Sequence, residues 1–334
     1  MLRLGYKASA EQFGPNELLD YSVQAERIGF DSVFISDHFQ PFRHTGGHSP
    51  FSMAWLGALG ARTTRITMGT SVLTPSFRYH PSVVAQAFGT LGAMYPGRII
   101  LGVGTGESLN EVPASGMAWP EPKERTARLK ESVALIRQLW SHERINFEGQ
   151  YYHTKNATIY DRSNPPPPIY IAGAGPLMAK YAGESGDGFI CTSGKAPELY
   201  RDIWVPNVMA GIRAAGRKPE DVDMMIEMKV SFDSDRQRAL EDTRWWAPLA
   251  LSPEEKMSVE DPLEMERLAD QLTSERTAKR WIVSTDPDEH VERIRPYVEL
   301  GFRHLVFHAP GPDQHRFLSL YGQLVLPKLR AAFA

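Results

Sequence analysis

The 334-residue chain has a single cysteine, Cys191, and no excess of charge of either sign. One cysteine excludes an intramolecular disulfide and a cysteine-based metal cluster. The 37 Lys and Arg residues nearly balance the 40 Asp and Glu residues, so composition gives no reason to expect nucleic acid or a membrane surface as a partner. The sequence also lacks an apolar run that could span a bilayer and a basic-then-apolar signal segment at its start. We therefore expect a cytoplasmic protein.

Eight short apolar runs recur along the chain, and the sequence between consecutive runs is long enough for a crossover helix. Eight strands are the number that closes a (β/α)8 barrel, while a doubly wound sheet is the alternative α/β architecture. We predict closure into a (β/α)8, or TIM, barrel. The predicted strands are residues 2–6, 33–35, 66–72, 99–103, 169–172, 189–191, 225–230 and 305–307.

No linker separates a second domain, so we predict one domain, residues 1–334, with insertions around 141–168 and 233–280. The second insertion lies between predicted strands seven and eight, and an excursion of this length is typical of a lid or a substrate-shaping segment. We interpret its tryptophans, Trp245 and Trp246, as the core of the insertion and not as a stacking platform.

Polar residues follow most of the predicted strands, at the end of a barrel where active sites lie. Asp37 and His38 follow strand two, and an imidazole there can change charge near neutral pH. Glu107 ends the glycine-rich stretch 102–107, whose spacing differs from the dinucleotide fingerprint. A tight turn and a ligand contact are equally open interpretations of this stretch. We expect no metal site, because the nearby histidines His44 and His48 lack further ligands at metal spacing.

Two further features indicate an anionic ligand. The turn 173–175 precedes a helix that begins near Pro176, and its backbone N–H groups are suited to an anion. Thr192 and Lys195 follow strand six, while Lys256 and Arg280 come from the long insertion. Lys and Arg are natural partners of a phosphate, although solvated surface charges would give the same pattern. The two glycine-rich turns, 102–107 and 173–175, together with a histidine at the mouth, predict a large, flat, anionic ligand.

Seven stretches resemble the F420-dependent glucose-6-phosphate dehydrogenases, members of the bacterial luciferase-like superfamily of (β/α)8 barrels. The resemblance covers nearly the whole chain, and its motifs are specific to that family. The stretches are 4–13 (LGYKASAEQF), 36–41 (SDHFQP), 69–75 (GTSVLTP), 101–107 (LGVGTGE), 188–195 (GFICTSGK), 278–283 (AKRWIV) and 305–311 (LVFHAPG).

The resemblance implies a reaction and a set of catalytic residues. Hydride would pass from C1 of glucose 6-phosphate to C5 of the deazaflavin coenzyme F420, giving 6-phosphogluconolactone and reduced F420. His38 is the candidate base for the C1 hydroxyl, and Glu107 is the candidate acid for N1 of the reduced cofactor. Glu11 would lie beside the reacting sugar.

The resemblance also implies two groups of binding residues, a non-proline cis peptide at Ser71–Val72, and a homodimer. The sugar phosphate would be held by Thr192, Lys195, Lys256 and Arg280. The cofactor would be contacted by Asp37, Ser71, Val72, Thr74, Thr105, Gly106, Glu107, Asn110, Ala174 and Gly175.

The chain departs from the family pattern at two positions near the sugar. Phe42 stands where the family often has tryptophan, and Met257 follows Lys256 where the family can have histidine. These changes leave open a broader hexose-6-phosphate dehydrogenase that also uses mannose or fructose 6-phosphate. The sequence leaves two rival functions open, an FMN-dependent luciferase-like monooxygenase and a non-catalytic flavin-binding barrel.

Overall fold

Eight parallel strands close into a barrel in the computed structural model, which describes residues 2–256 and 259–334. Each strand pairs with its neighbour in the barrel, and the last barrel strand returns to the first through the register His304↔Arg3. The strands are β1 (Arg3–Ala8), β2 (Ser32–Ile35), β3 (Thr67–Thr70), β4 (Ile99–Val103), β5 (Ile145–Glu148), β6 (His153–Ala157), β7 (Ile169–Ala172), β8 (Gly188–Thr192), β9 (Asp223–Phe232), β10 (Ile282–Ser284) and β11 (His304–His308).

Helices occupy most of the connections between barrel strands, as the right-handed βαβ crossover requires. A π-helical segment, Leu199–Trp204, leads into the helix after β8. The helices are α1 (Pro15–Ile28), α2 (Ser52–Arg62), α3 (Pro81–Met94), α4 (Ser108–Ser115), α5 (Pro122–Ser141), α6 (Pro176–Ser185), α7 (Val205–Ala214), α8 (Arg236–Glu241), α9 (Pro253–Lys256), α10 (Pro262–Ala269), α11 (Ser274–Ala278), α12 (Pro287–Glu299), α13 (Gln314–Leu324) and α14 (Leu326–Ala332).

The predicted barrel and its eight strands are confirmed, although the bounds of six strands differ from the predicted ones. The third predicted strand, 66–72, ends in the structure at Thr70, and the predicted cis peptide Ser71–Val72 follows it. The sequence-based prediction missed the β5–β6 hairpin inside the first insertion, because that hairpin is mostly exposed and polar. It also missed β10, a three-residue strand that pairs with the carboxyl half of β9.

The interior of the barrel is layered along its axis. At the amino end, Asp223 accepts a hydrogen bond from Tyr170 and contacts His304 and Arg3. An apolar layer follows, made of Phe34, Ile100, Tyr170, Ile190, Met225 and Val306. At the carboxyl ends of the strands, the residues that face the barrel interior are polar again. Alternate residues of each strand point to the same side, so these residues lie in line with the layers below them. The apolar layer therefore separates a lower polar layer, at the amino ends of the strands, from an upper polar layer at their carboxyl ends. Only the upper polar layer lies at the mouth of the barrel.

The second insertion packs on the mouth of the barrel. Its α10 and the segment before α9 form an apolar cluster with Leu109 of α4. Glu266 of α10 accepts hydrogen bonds from the backbone N–H groups of His44 and Thr45, and Arg43 donates to Glu266 and Asp270. These contacts tie the insertion to the loop that follows β2. Division of residues 1–334 into a single domain stays a prediction.

Within the described ranges, no helix combines the length and the apolar character needed to cross a membrane.

Candidate active site

Three adjoining cavities of about 310, 270 and 250 Å³ open at the carboxyl ends of the barrel strands. Ser71 and Glu107 line all three, so they stand where the cavities meet. We call the 250 Å³ space the polar cavity, because charged side chains dominate its wall. The other two spaces together form the slot, whose wall includes Val72, Ala172 and Ala174 in both parts.

The polar cavity brings together predicted residues that lie far apart in the sequence. They come from the ends of β1, β2, β3, β4 and β8, from the turn after β8, and from the second insertion. This convergence is what the parallel barrel produces, since all its strands end at the same mouth. The predicted residues on this wall are Glu11, His38, Ser71, Glu107, Thr192, Lys195, Lys256 and Arg280.

His38 and Glu11 form a close pair in the polar cavity. His38 Nδ1 lies 3.2 Å from Glu11 Oε1, and the Glu11 side chain is almost completely buried. Burial alone would raise the pKa of Glu11, but the charges of His38 and Lys7 outweigh it and leave the pKa below its ordinary value. Glu11 is therefore a carboxylate next to Nδ1 of the imidazole.

A cluster of cations faces the same cavity. Burial lowers the pKa of Lys195, and the neighbouring charges of Arg280, Lys256 and Lys229 lower it further. Burial likewise lowers the pKa of Arg280, whose guanidinium donates to the carbonyl of Leu249 at 3.2 Å. Cations that repel one another in a shared cavity are the electrostatic partner of a multiply charged anion.

The turn after β8 is fixed against the insertion by close backbone packing. Gly194 has a φ of +74°, and a Cβ at this position would overlap the backbone of Arg280. Tyr200 donates to the carbonyl of Thr192 and accepts from the N–H of Lys195. The glycine thus lets Lys195 and Arg280 approach from two distant parts of the chain.

Glu227 lies at the centre of the upper polar layer. Its Oε1 accepts from Lys229 Nζ at 2.8 Å and lies 3.3 Å from His308 Nδ1, while its Oε2 lies 3.3 Å from Lys7 Nζ. Burial would raise the pKa of Glu227, but Lys229 and Lys7 hold it well below the ordinary value. Burial lowers the pKa of His308 to about 4, so this imidazole is neutral near pH 7.

The slot has an apolar wall and a polar rim. Val72, Ala172 and Ile190 supply flat apolar surface, and the glycine-rich turn after β4 supplies backbone. Every residue predicted to contact the cofactor lines the slot except Gly175, which instead caps the amino end of α6. The predicted contacts found here are Asp37, Ser71, Val72, Thr74, Thr105, Gly106, Glu107, Asn110 and Ala174.

Asp37 and Asn110 also have structural roles. The Asp37 carboxylate accepts from Ser52 at 2.5 Å, from Arg78 at 3.0 Å and from Tyr79 at 2.9 Å. Asn110 Oδ1 accepts from the backbone N–H groups of Phe39 and Gln40. Both side chains therefore shape the loop that carries His38, and their contact with a cofactor stays a prediction.

Buried polar atoms without a hydrogen bond concentrate around the polar cavity. Thirteen such side-chain atoms occur in the described part of the chain, and six belong to residues that line this cavity. A buried polar group left unpaired is costly, so native structures satisfy most of them. Their concentration here indicates a polar ligand that supplies the missing partners. The six residues are Glu11, Ser36, His38, Thr192, Arg280 and His308.

Comparison with known proteins agrees with this arrangement. The sequence profile of the luciferase-like monooxygenases matches residues 2–304. The chain belongs to the luciferase-like monooxygenase family. It is 67% identical over 330 residues to a curated protein of Nakamurella multipartita named F420-dependent glucose-6-phosphate dehydrogenase, covering 99% of this chain and 97% of the relative. A protein of the same name from Intrasporangium calvum is 63% identical, with 99% of both chains covered.

Solved structures of other proteins show the same fold. An F420-dependent secondary alcohol dehydrogenase, in complex with an F420-acetone adduct, superposes with a TM-score of 0.92 at 33% identity, covering 98% of this chain and 99% of that chain. A coenzyme F420-dependent tetrahydromethanopterin reductase from Methanopyrus kandleri superposes with a TM-score of 0.82 at 22% identity, covering 98% and 99% of the two chains. The resemblance identified from the sequence motifs is confirmed.

Two residues of this site were missed from the sequence. Glu227 and Lys229 were overlooked, although two charges at alternate positions of a buried strand share one face and could have signalled a polar interior. Trp246 is buried, as expected of a core residue, but it also lines the polar cavity. Of the two departures near the sugar, Phe42 lines this cavity, and Met257 lies outside the described residues.

The neutral state of His308 predicts a pH dependence of stability. The unfolded chain takes up a proton on this residue near pH 6.5, while the folded protein does so only near pH 4. The unfolding free energy should therefore fall as the pH drops from 6.5 to 4, with this residue contributing about 1.4 kcal/mol per pH unit. Urea titrations of the wild type and His308→Phe measure it. Between pH 6.5 and 4, the unfolding free energy of His308→Phe should depend less steeply on pH than that of the wild type. Above pH 7 the two proteins should show the same pH dependence. Equal pH dependence in the acid range would contradict a neutral His308.

Proposed function

We propose that this protein oxidises glucose 6-phosphate at C1 and passes the hydride to coenzyme F420, giving 6-phosphogluconolactone and reduced F420. The observation that carries the proposal is the junction of the two spaces, where a flat apolar slot meets a cavity lined by cations and a histidine–carboxylate pair. Full-length relatives at 59–67% identity carry the name of this activity.

The slot suits a flat aromatic cofactor with a polar tail. Val72, Ala172 and Ile190 present the apolar surface that a ring system would cover. Gly104 and Gly106 bring backbone to the slot, and a Cβ on Gly104 would overlap the side chain of Val72. Bound oxidised F420 supplies a hydride acceptor at C5 of its deazaflavin ring.

Two side chains are assigned to the protons of the reaction. His38 Nε2 takes the proton of the C1 hydroxyl, since Nδ1 faces the ionised Glu11. Glu107 is exposed to the cavities at their junction, and it is assigned the proton that N1 requires after hydride transfer. The close approach of His38 and Glu11 lacks ideal hydrogen-bond alignment, as is common in catalytic sites without a ligand.

The cation cluster holds the phosphate at the far end of the sugar. Lys195, Lys256 and Arg280 supply charge, and the unpaired hydroxyl of Thr192 supplies a donor. Binding energy gained at the phosphate positions C1, because interactions remote from the reacting atom can offset the cost of orientation. Neither a luciferase-like monooxygenase with FMN nor a storage barrel requires such a cluster together with His38.

Selectivity among hexose 6-phosphates depends in part on Phe42. Its ring makes an edge contact with His38 at 5.0 Å between centroids and lies 6.3 Å from Trp246. A phenylalanine leaves more space beside the reacting sugar than a tryptophan does. Use of mannose or fructose 6-phosphate is therefore the second candidate activity. The homodimer and the cytoplasmic location stay predictions.

A panel of hexoses tests the proposed reaction. Purified protein and oxidised F420 are mixed with glucose, mannose and fructose, each with and without the 6-phosphate. Absorbance of the oxidised cofactor should fall rapidly with glucose 6-phosphate and not with free glucose, because only the phosphate engages the cations. FMN in place of F420 serves as the cofactor control. Loss of absorbance with a simple alcohol, and with no sugar phosphate, would retain F420 and reject the sugar assignment.

A variant of Arg280 distinguishes a specific contact with the phosphate from a general effect of positive charge on the surface. Arg280→Ala should lower kcat/KM for glucose 6-phosphate by about ten- to a hundredfold, since a hydrogen bond to a charged group is lost. The affinity for F420 should not change. The adjacent Lys279 is exposed, so Lys279→Ala removes the same charge from solvent and serves as the control. Equal losses in the two variants would argue against a phosphate clamp.

The role of His38 is tested by separating chemistry from binding. His38→Ala should lower kcat by about 10²- to 10⁴-fold, the usual effect of losing a general base. Titration with F420 should still give a dissociation constant close to that of the wild type. His44 lies exposed on the same loop, and His44→Ala is the matched control. A variant that loses F420 binding as fully as activity would contradict a role confined to proton transfer.

A further inference from the structure

Glu227 lies between the two spaces of the active site with its side chain 14% exposed, yet both of its carboxylate oxygens contact protein groups. Lys229 and His308 lie at Oε1, and Lys7 lies at Oε2. Its low pKa means that it carries no proton to donate near neutral pH. Both oxygens therefore act first on the side chains that Glu227 holds.

One of these side chains leads to the wall shared with the slot. Lys7 is buried, and its Nζ donates to the carbonyl oxygen of Ser71 at 2.7 Å and to Ser71 Oγ at 2.8 Å. Ser71 lines all three cavities, so Lys7 fixes the part of the wall where they meet. The attraction of Glu227 offsets part of the cost of burying this ammonium group.

The other two side chains lead only to the polar cavity, which Lys7 lines as well. Lys229 is buried, lies over the ring of Trp281 at 5.7 Å, and lines the polar cavity with His308. Burial lowers the pKa of Lys229, and Glu227 opposes this effect. His308 is held between the rings of Trp246 and Trp281, at 4.4 and 5.0 Å. The carboxylate thus keeps a cation in place among the phosphate-facing groups.

We propose that Glu227 is a positioning residue that aligns the cofactor slot with the sugar-phosphate cavity, acting through Lys7 on one side and Lys229 on the other. The proposal rests on the proposed function for the identity of the two ligands. Three strands meet in this contact, because β1 carries Lys7, β9 carries Glu227 and Lys229, and β11 carries His308. A single carboxylate therefore sets the position of Lys229 in the polar cavity and, through Lys7, that of Ser71, which lines both spaces.

The lower polar layer supplies a matched control. Asp223 lies four residues before Glu227 on β9 and faces the same interior, where it binds His304, Tyr170 and Arg3. His304 has both ring nitrogens satisfied, since Nε2 lies 2.7 Å from Ser32 Oγ. Asp223 and its partners line none of the three cavities at the mouth. Asp223→Asn thus disturbs a buried carboxylate network without touching the active site.

The test combines binding and kinetic constants with double-mutant cycles. Glu227→Gln should raise both the dissociation constant of F420 and the KM of glucose 6-phosphate, each by about tenfold to a hundredfold, because small displacements near reacting groups are costly. Lys7→Met should raise the F420 constant, because Lys7 no longer holds Ser71, whereas Lys229→Met should raise only the KM. Each lysine change should add little when Glu227→Gln is already present, since coupled residues are not additive. Asp223→Asn should lower thermal stability and leave both constants unchanged.

Several results would overturn the positioning role. One is a Glu227→Gln variant whose F420 dissociation constant and KM are unchanged, and another is a change in these constants no larger than that in Asp223→Asn. The third is a double variant in which the effects of the lysine change and of Glu227→Gln add fully. If Glu227→Gln does not fold, the test rests on the difference between Lys7→Met and Lys229→Met. Equal effects of these two variants on the F420 dissociation constant and on the KM would reject the proposal. Wild-type protein that binds F420 but does not turn over glucose 6-phosphate would reject the proposed function instead. The F420 titrations would then still decide the link from Glu227 to Lys7.

Discussion

The ion cluster around Glu227 is the interaction on which the mouth of the barrel depends. A buried carboxylate is stable in its charged form only when cations compensate for lost hydration. Lys7 and Lys229 supply that compensation, and each needs the carboxylate for the same reason. The three groups are therefore interdependent, and removing one leaves an uncompensated charge inside the protein. Their mutual dependence explains how polar side chains can be held rigidly next to a cavity that must also admit ligands.

Strand periodicity explains why this cluster lies at the mouth and why a second one lies below it. Asp223, Met225, Glu227 and Lys229 occupy alternate positions of β9, so all four face the barrel interior. The same holds for His304, Val306 and His308 on β11. The lower cluster satisfies its own hydrogen bonds and closes the barrel floor. The upper cluster leaves groups exposed to the polar cavity, and the apolar layer isolates one from the other.

The barrel could be predicted from sequence because buried parallel strands are nearly continuous apolar runs. The exposed β5–β6 hairpin and the short β10 give no such signal, since their residues are polar or few. His38, Glu107 and Lys195 could be placed at the site because each closely follows a strand. Glu227 and Lys229 lie inside a strand, and their partner Lys7 comes from β1, two strands away in the barrel. Only the closure of the barrel brings these residues together, so no local pattern predicts the cluster.

The balance of charge at the mouth also explains how the phosphate can control reactivity at a distance. Lys195 lies within the influence of Lys229, Lys256 and Arg280, and their mutual repulsion raises the free energy of the empty site. A phosphate dianion removes this repulsion when it binds, so the gain includes relief of repulsion as well as direct attraction. Glu227 neutralises the charge of Lys229, and the remaining positive charge faces the polar cavity. In the proposed reaction, this positive charge attracts the phosphate, and the binding energy gained there holds C1 next to His38.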